Sequence, residues 1–248
     1  MAPISGQCIL VIGGSSGIGF SVAKLALAES VRVVIASSNE TKIRYAITRL
    51  KEEFPAGNVS GFTIDLAGED PETQLEKLFS HASALGPLDH IVYTAGRAEA
   101  KPIAEVDLES AIRLARVPFF VPVLVAKLAP KYLRSKYTSS ITFTSGQVAE
   151  KPIPGYSLLS GYATALHGLA RNLAVDLAPL RVNVVAPGPT ETELWGNYRD
   201  ILRKAASEGS LTGRPGSPDD VAEAYIYLMK NVDATGAIVS SNGGTILK

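Results

Sequence analysis

The chain has 248 residues with 24 basic and 24 acidic side chains, no net charge and a pI near 6.8. No basic block invites a nucleic acid or an anionic membrane, and no apolar run has the length of a bilayer span. One cysteine excludes an internal disulfide, and the N-terminus carries no charged region ahead of a long apolar stretch, so no signal peptide is read and a cytoplasmic compartment is expected.

Short β-branched runs alternate along the chain with longer helix-like stretches. The runs cover 8–12, 32–36, 59–64, 90–94, 140–144, 181–186 and 237–240. They are nearly continuously apolar, as strands buried on both faces of a parallel sheet are. Between them, 21–29, 41–54, 71–85 and 161–177 place apolar residues at helical spacing, long enough for right-handed crossovers. No repeat, low-complexity tract or linker intervenes. The expectation is one domain over residues 1–248, a doubly wound α/β Rossmann fold with a seven-stranded parallel sheet, helices on both faces, and a ligand beyond the carboxyl ends of the strands. Cys8, inside the first run, reads as a buried inert thiol. His81, His90 and His167 are scattered without metal-ligand spacing and read as structural.

The first strand runs into Gly13-Gly14-Ser15-Ser16-Gly17-Ile18-Gly19, followed by a helical pattern. Glycines permit positive φ and let the backbone approach a pyrophosphate closely. The helix start then offers free N–H groups and a partial positive charge. Strand, glycine turn, helix and second strand in that order make a dinucleotide site the expectation.

The second strand ends at Ser37, Ser38 and Asn39, where NAD-specific Rossmann proteins usually carry an acid. No carboxylate there repels a 2′-phosphate, and the three side chains can donate hydrogen bonds to one. The same residues open a helix, so capping is a second reading and both roles can coexist. NADP(H) is the expected cofactor, although no arginine stands by to bind the phosphate.

The spacing Gly-x3-Gly-x-Gly resembles the fingerprint of the short-chain dehydrogenase/reductases, with Ile12 where the family has threonine. Thr94-Ala95-Gly96 resembles the family's Asn-Ala-Gly, and Asp65-Leu66 the pair that holds the adenine. Arg181 to Pro189 resembles the segment flanking the nicotinamide, and the resemblance places Pro187 and Gly188 in it, and Thr190 and Thr192 just after it, at the cofactor. Gly213-Arg214-Pro215, Pro218 to Ala222, Thr235-Gly236 and Gly243-Gly244 fit the family's last helix and strand.

The resemblance implies a catalytic Asn–Ser–Tyr–Lys set, of which only the serine, Ser145, is present; a serine there can equally form a turn. Counting from Ala165 puts Leu159 at the tyrosine position and Ala163 at the lysine position. Arg116 falls at the asparagine position, with Leu114 an alternative. Tyr162 either faces the cleft or packs between helices. The family's tyrosine gives a proton to the nascent alkoxide, and its lysine lowers the phenol pKa. Without them ordinary ketone chemistry is disfavoured.

The expected activity is hydride transfer to an iminium or another activated acceptor that needs no proton in that step. Arg116 would position an anionic or carbonyl part of the substrate and Ser145 would hydrogen-bond to it. The chain is similar to divergent members in fungal secondary metabolism, some of which lack the tyrosine, reduce an iminium and guide a cyclisation such as a Diels–Alder reaction. Two other classes fit the same residues: a cofactor-binding pseudoenzyme without turnover, and a non-redox cyclase or isomerase on the same scaffold. In relatives the helix around 158–177 pairs with a second copy, giving homodimers or homotetramers. Residues 190–211 are expected to form a substrate lid whose Trp195 and Tyr198 suit a bulky, partly aromatic small molecule; core packing of Trp195 fits as well.

Overall fold

The computed structural model describes residues 2–96 and 99–248. The apolar runs become seven strands: β1 (Cys8–Ile12), β2 (Arg32–Ser37), β3 (Val59–Thr63), β4 (His90–Tyr93), β5 (Ser140–Thr144), β6 (Arg181–Pro187) and β7 (Ile238–Ser241). They pair in parallel in the order β3-β2-β1-β4-β5-β6-β7. The strands end within a residue or so of the expected positions, as continuous apolar runs do when both faces are covered.

Side chains leave β1 alternately to two cores. Leu10 and Ile12 join Leu75, Phe79, Val125 and Leu166 on one face. Ile9 and Val11 join Val22, Ala26, Leu50 and Tyr225 on the other. The first face is covered by α3 (Pro71–Ala82), α5 (Val121–Leu128) and α6 (Ser157–Asp176), and the second by α1 (Gly17–Ala28), α2 (Glu40–Glu53) and α8 (Pro218–Lys230). Ion pairs Lys24–Asp219 and Lys230–Glu29 tie α1 and its end to α8.

The helical region between β4 and β5 lies outside the stretches expected to be helical from spacing, although Asp107 and Ser110 form a capping box at its start. Leu108–Ala115 (α4) continues through a π-turn at Arg116–Phe120 into α5. Pro118 and Pro122 interrupt the sequence pattern there. The wide π-turn absorbs the first, and the second lies in the first turn of α5. The Tyr93 hydroxyl donates to the Val117 carbonyl at 2.6 Å and fixes this turn over the end of β4.

Two buried polar groups hold the frame. Arg181, 3% exposed, donates to the carbonyls of Leu228, Met229 and Asn231 at the end of α8, and to those of Tyr137, Thr138 and Ala234. A cation at a helix C-terminus satisfies carbonyls that the helix leaves open. His90 lies between the Ser140 hydroxyl, at 2.8 Å, and the Gln7 amide oxygen, at 2.6 Å. Burial pushes its pKa down to about 3, so it is a neutral strut. The Cys8 thiol is buried and its pKa is pushed up to about 11 by desolvation, as an inert thiol requires.

Candidate active site

β1 pairs with β2 on one side and β4 on the other. The direction of winding reverses there, opening a crevice at the carboxyl ends. Gly13 leaves β1 at φ +98°, and a Cβ on it would lie 2.6 Å from the Ala95 nitrogen and 2.7 Å from Thr94 Oγ1. A Cβ on Gly19 would overlap the Gly13 carbonyl oxygen. Gly17 starts α1 at φ +53°, with the Thr192 side chain 3.2 Å from where its Cβ would be. The turn therefore accepts no side chain at Gly13 or Gly19, and with the N-terminus of α1 directly after it, it has the form of a phosphate-binding turn.

The cradle's neighbours are arranged around it. Ser16 flanks α1 without capping it through its side chain, and Ile18 is half-buried in the first turn. Ser15 Oγ donates to Ser37 Oγ at 2.8 Å, joining the glycine turn to the end of β2. Ser38 is exposed beside it. Asn39 Oδ1 accepts from the Lys42 N–H at 2.9 Å and caps α2, a role that uses the amide oxygen and not its NH2. Asp65 accepts from the Ala67 N–H at 2.9 Å, and Leu66 is buried. Thr94 Oγ1 donates to the Ile12 carbonyl at 3.2 Å, and Ala95 and Gly96 follow it. From the far side, Gly188 is pressed on Asn242, Thr190 Oγ1 donates to the Gly188 carbonyl, and Thr192 is buried. Glu193 belongs to no motif, yet its Oε2 accepts the Gly17 N–H at 3.0 Å, a carboxylate at the positive end of α1.

Next to this cradle, over the ends of β4, β5 and β6, lies a cavity of about 330 Å³, the size of a small-molecule site. Its lining is largely apolar, with Pro118, Val148, Ile153, Leu159, Ala163 and Leu166 on one side and Thr94, Ser145, Gln147 and Tyr156 as polar groups. Positions 159, 163 and 166 recur at helical spacing on α6, so one stripe of that helix faces the cavity. The two positions that hold tyrosine and lysine in the family therefore do face the cleft, and here they carry a leucine and an alanine.

Ser145 stands at the end of β5 and lines the cavity. Its Oγ lies 2.7 Å from His167 Nε2. His167, expected to be structural, thereby also touches the polar wall of the cavity through Ser145. Burial lowers the His167 pKa, the Glu150 carboxylate raises it in part, and Arg171 lowers it further.

Arg116 is corrected. It is not among the residues lining the cleft. Its guanidinium donates to the carbonyls of Ala67, at 3.1 Å, and Gly68, at 2.7 Å, in the loop after β3. Counting back from Ala126 to Pro130 fixes a position in the chain but not where its side chain points; in the π-turn Arg116 turns to Ala67 and Gly68, and Pro118 reaches the cavity instead. Tyr162 packs between helices: its hydroxyl donates to the Ala111 carbonyl at 2.9 Å and its ring stacks on Phe119.

Residues 190–211 form a 3-10 turn, Glu193–Tyr198, and α7 (Arg199–Gly209) beside the cradle. Trp195 is half-buried, whereas Tyr198, Leu194 and Ile201 are exposed. Among the described residues no helix is long and apolar enough to cross a membrane, and no His/Cys/Asp/Glu group is placed to hold a metal ion.

The family of SDR-like Rossmann domains matches residues 2–248. The chain is 46% identical to the short-chain dehydrogenase/reductase ATR9 of Stachybotrys chlorohalonatus, covering all of both chains. It is 41% identical to the short-chain dehydrogenase/reductase malC of Malbranchea aurantiaca, over 99% of this chain and 96% of that one. The solved structure of that organism's MalC, a reductase/Diels-Alderase, superposes with a TM-score of 0.94 over 98% of this chain and 97% of that one. A small-chain dehydrogenase solved in complex with NADPH, 27% identical, superposes with a TM-score of 0.79 over 98% of this chain and 99% of that one.

Proposed function

The chain belongs to the short-chain dehydrogenase/reductase family, and on that premise we propose that it is an NADP(H)-dependent reductase whose acceptor, an iminium ion or a similarly activated group, needs no proton in the hydride step. The observation that carries this reading is the pair Leu159 and Ala163 on the stripe of α6 that lines the cavity beside Ser145. When bound, the reduced nicotinamide supplies hydride to the acceptor carbon. A ketone acceptor also requires a proton, and losing a positioned acid costs roughly 10² to 10⁴ in rate. An iminium requires none, and the apolar lining excludes water and orients it.

In this reading Gly13, Ser15, Ser16, Gly17, Ile18 and Gly19 hold the pyrophosphate. Ser37, Ser38 and the Asn39 amide take the 2′-phosphate, and Asp65 and Leu66 flank the adenine. Thr94, Ala95, Gly96, Pro187, Gly188, Thr190 and Thr192 surround the nicotinamide half, and Ser145 contacts the acceptor. NADP(H) rather than NAD(H) rests on the absence of a carboxylate at the end of β2. Arg116, bound to the Ala67 and Gly68 carbonyls, has no place in the scheme.

Titration with NADPH and NADH, followed by absorbance of the reduced cofactor against matched ketones and cyclic iminiums, tests the reading. Oxidation by iminiums and not by ketones supports it. Binding without oxidation by any acceptor contradicts it and favours a cofactor-binding protein without turnover.

A second reading adds cyclisation in the same cavity, within secondary metabolism of an alkaloid kind. It is favoured by the likeness to MalC, a reductase/Diels-Alderase, and by an apolar cavity able to fold a bulky, partly aromatic substrate. Cyclised product formed with oxidised cofactor checks it. Pairing of two or four copies rests on α4–α5, where Leu108, Ile112, Phe120 and Val123 are exposed, and on the small residues Gly161, Ala165 and Gly168 along the outer side of α6. Sedimentation measures it.

A further inference from the structure

The cavity has lost the family's phenol at position 159 and ammonium at position 163, yet besides Tyr156 in its lining it keeps a titratable side chain in contact with its polar wall. Ser145 Oγ faces the cavity and sits 2.7 Å from His167 Nε2. His167 itself is 8% exposed and does not line the cavity, so it reaches a substrate only through Ser145. The charged groups that bear on it are Glu150, from the turn after β5, and Arg171, one helical turn further along α6. The other histidine bonded to a serine, His90, is locked between two partners in the core and far from solvent. Among the described residues, then, Ser145–His167 is the pair that joins the cavity to a group able to change its charge near neutral pH.

We propose that Ser145 and His167 form a proton relay whose charge state sets which class of acceptor the cleft reduces. The inference rests on the reductase reading above and deepens it. Neutral His167 with a bare Nε2 accepts the Ser145 proton, so the oxygen lone pairs of Ser145 turn to the cavity. That arrangement suits a cationic C=N⁺ acceptor, which takes hydride at carbon and needs nothing more: the electron pair of the double bond settles on nitrogen and cancels its charge. Protonated His167 instead donates Nε2–H to Ser145 Oγ, and the Ser145 hydroxyl turns to the cavity as a donor. A carbonyl acceptor then takes hydride at carbon, its electron pair moves to oxygen, and that oxygen takes the Ser145 proton while Ser145 takes one from His167, leaving neutral imidazole. The same imidazolium repels a cationic acceptor. Burial keeps His167 mainly neutral at pH 7, so the iminium arrangement is the resting one. His167 is thus a positioning residue and a proton store, and Ser145 is the group that touches the substrate.

The experiment uses the full chain with NADPH, an N-alkylated cyclic iminium whose charge does not titrate, and an activated ketone. First, ¹⁵N NMR of the imidazole rings gives the His167 pKa and tautomer in the protein with bound NADP⁺, in wild type and in Ser145→Ala. Second, the ratio of ketone to iminium kcat/KM is followed from pH 5 to 8 in wild type, His167→Gln and Tyr156→Phe. The glutamine keeps a polar contact with Ser145 but carries no titrating proton. The expected result is a His167 titration that shifts in Ser145→Ala, and a wild-type ratio that rises about tenfold for each unit the pH is lowered, above and below the His167 pKa alike. In His167→Gln the ratio becomes independent of pH. The relay is overturned, with the reductase reading intact, if iminiums are reduced but the pH dependence persists in His167→Gln, if it disappears in Tyr156→Phe instead, or if Ser145→Ala leaves the His167 titration unmoved. If no acceptor oxidises the cofactor at any pH, the reductase reading itself fails and the relay with it.

Discussion

The two ends of the crevice are built on different terms. At the nucleotide end the requirements fall on the backbone: a positive φ at Gly13 and Gly17 and the absence of a Cβ at Gly13 and Gly19. At the other end they fall on side chains: Leu159, Ala163 and Ser145 line the cavity, with His167 behind the serine. A Rossmann scaffold can therefore keep its cofactor cradle while its reaction changes, because steric rules fix the first and only a few exchangeable side chains fix the second.

The largest effect expected on the nucleotide end comes from Gly19→Ala. Its Cβ would overlap backbone that cannot yield, so NADPH affinity should fall by about two orders of magnitude or the protein should fail to fold, as calorimetry and circular dichroism will show. Tight binding by the alanine variant would break the distinction between the two ends.

Next in size is Arg181→Met, which touches neither end. It strands several buried carbonyls at the end of α8, each worth about 1 kcal/mol or more, and should cost about 3 kcal/mol in urea unfolding. An equal loss of NADPH affinity in the folded variant would blur the comparison.

The two histidines on serines give a third, pH-dependent prediction. His90 has a pKa near 3 in the fold and about 6.5 when unfolded, so the unfolded chain binds the extra proton below pH 6.5. Its contribution to stability is complete above pH 6.5 and is lost as pH falls toward 3. Between pH 6.5 and 5 the loss is about 2 kcal/mol, measurable as a lowered denaturant midpoint that His90→Gln reduces.

The smallest effect concerns Glu193. Its carboxylate sits on the Gly17 N–H, where a cofactor phosphate is expected, so Glu193→Gln should tighten NADPH binding by about two- to fivefold, an increment of the size helix-terminal charges contribute. Weaker binding would show that Glu193 orders the cradle instead of competing for it.

What could be read in advance follows the same division. The strands, the winding and the glycine turn were legible because apolar runs and positive-φ glycines are local facts. The serine at the end of β5 and the vacated positions 159 and 163 were legible through family spacing. Arg116 was misplaced because counting along the chain sets a position but not a side-chain direction, and its partners, the Ala67 and Gly68 carbonyls, lie 49 and 48 residues away. His167 and Glu193 were missed because each meets its partner across 22 and 176 residues of chain respectively, a proximity that only the assembled sheet creates.

The central claim is that Leu159 and Ala163 have removed the proton from the reaction, and the double variant Leu159→Tyr with Ala163→Lys tests it most directly. The measurement is NADPH-dependent reduction of an activated ketone at pH 7, beside the wild type. The account predicts little ketone turnover in the wild type and a gain of about 10² or more in the folded double variant, the size of a restored general acid. A wild type that already reduces the ketone as fast as a matched iminium would contradict it, as would a folded, NADPH-binding double variant that gains nothing.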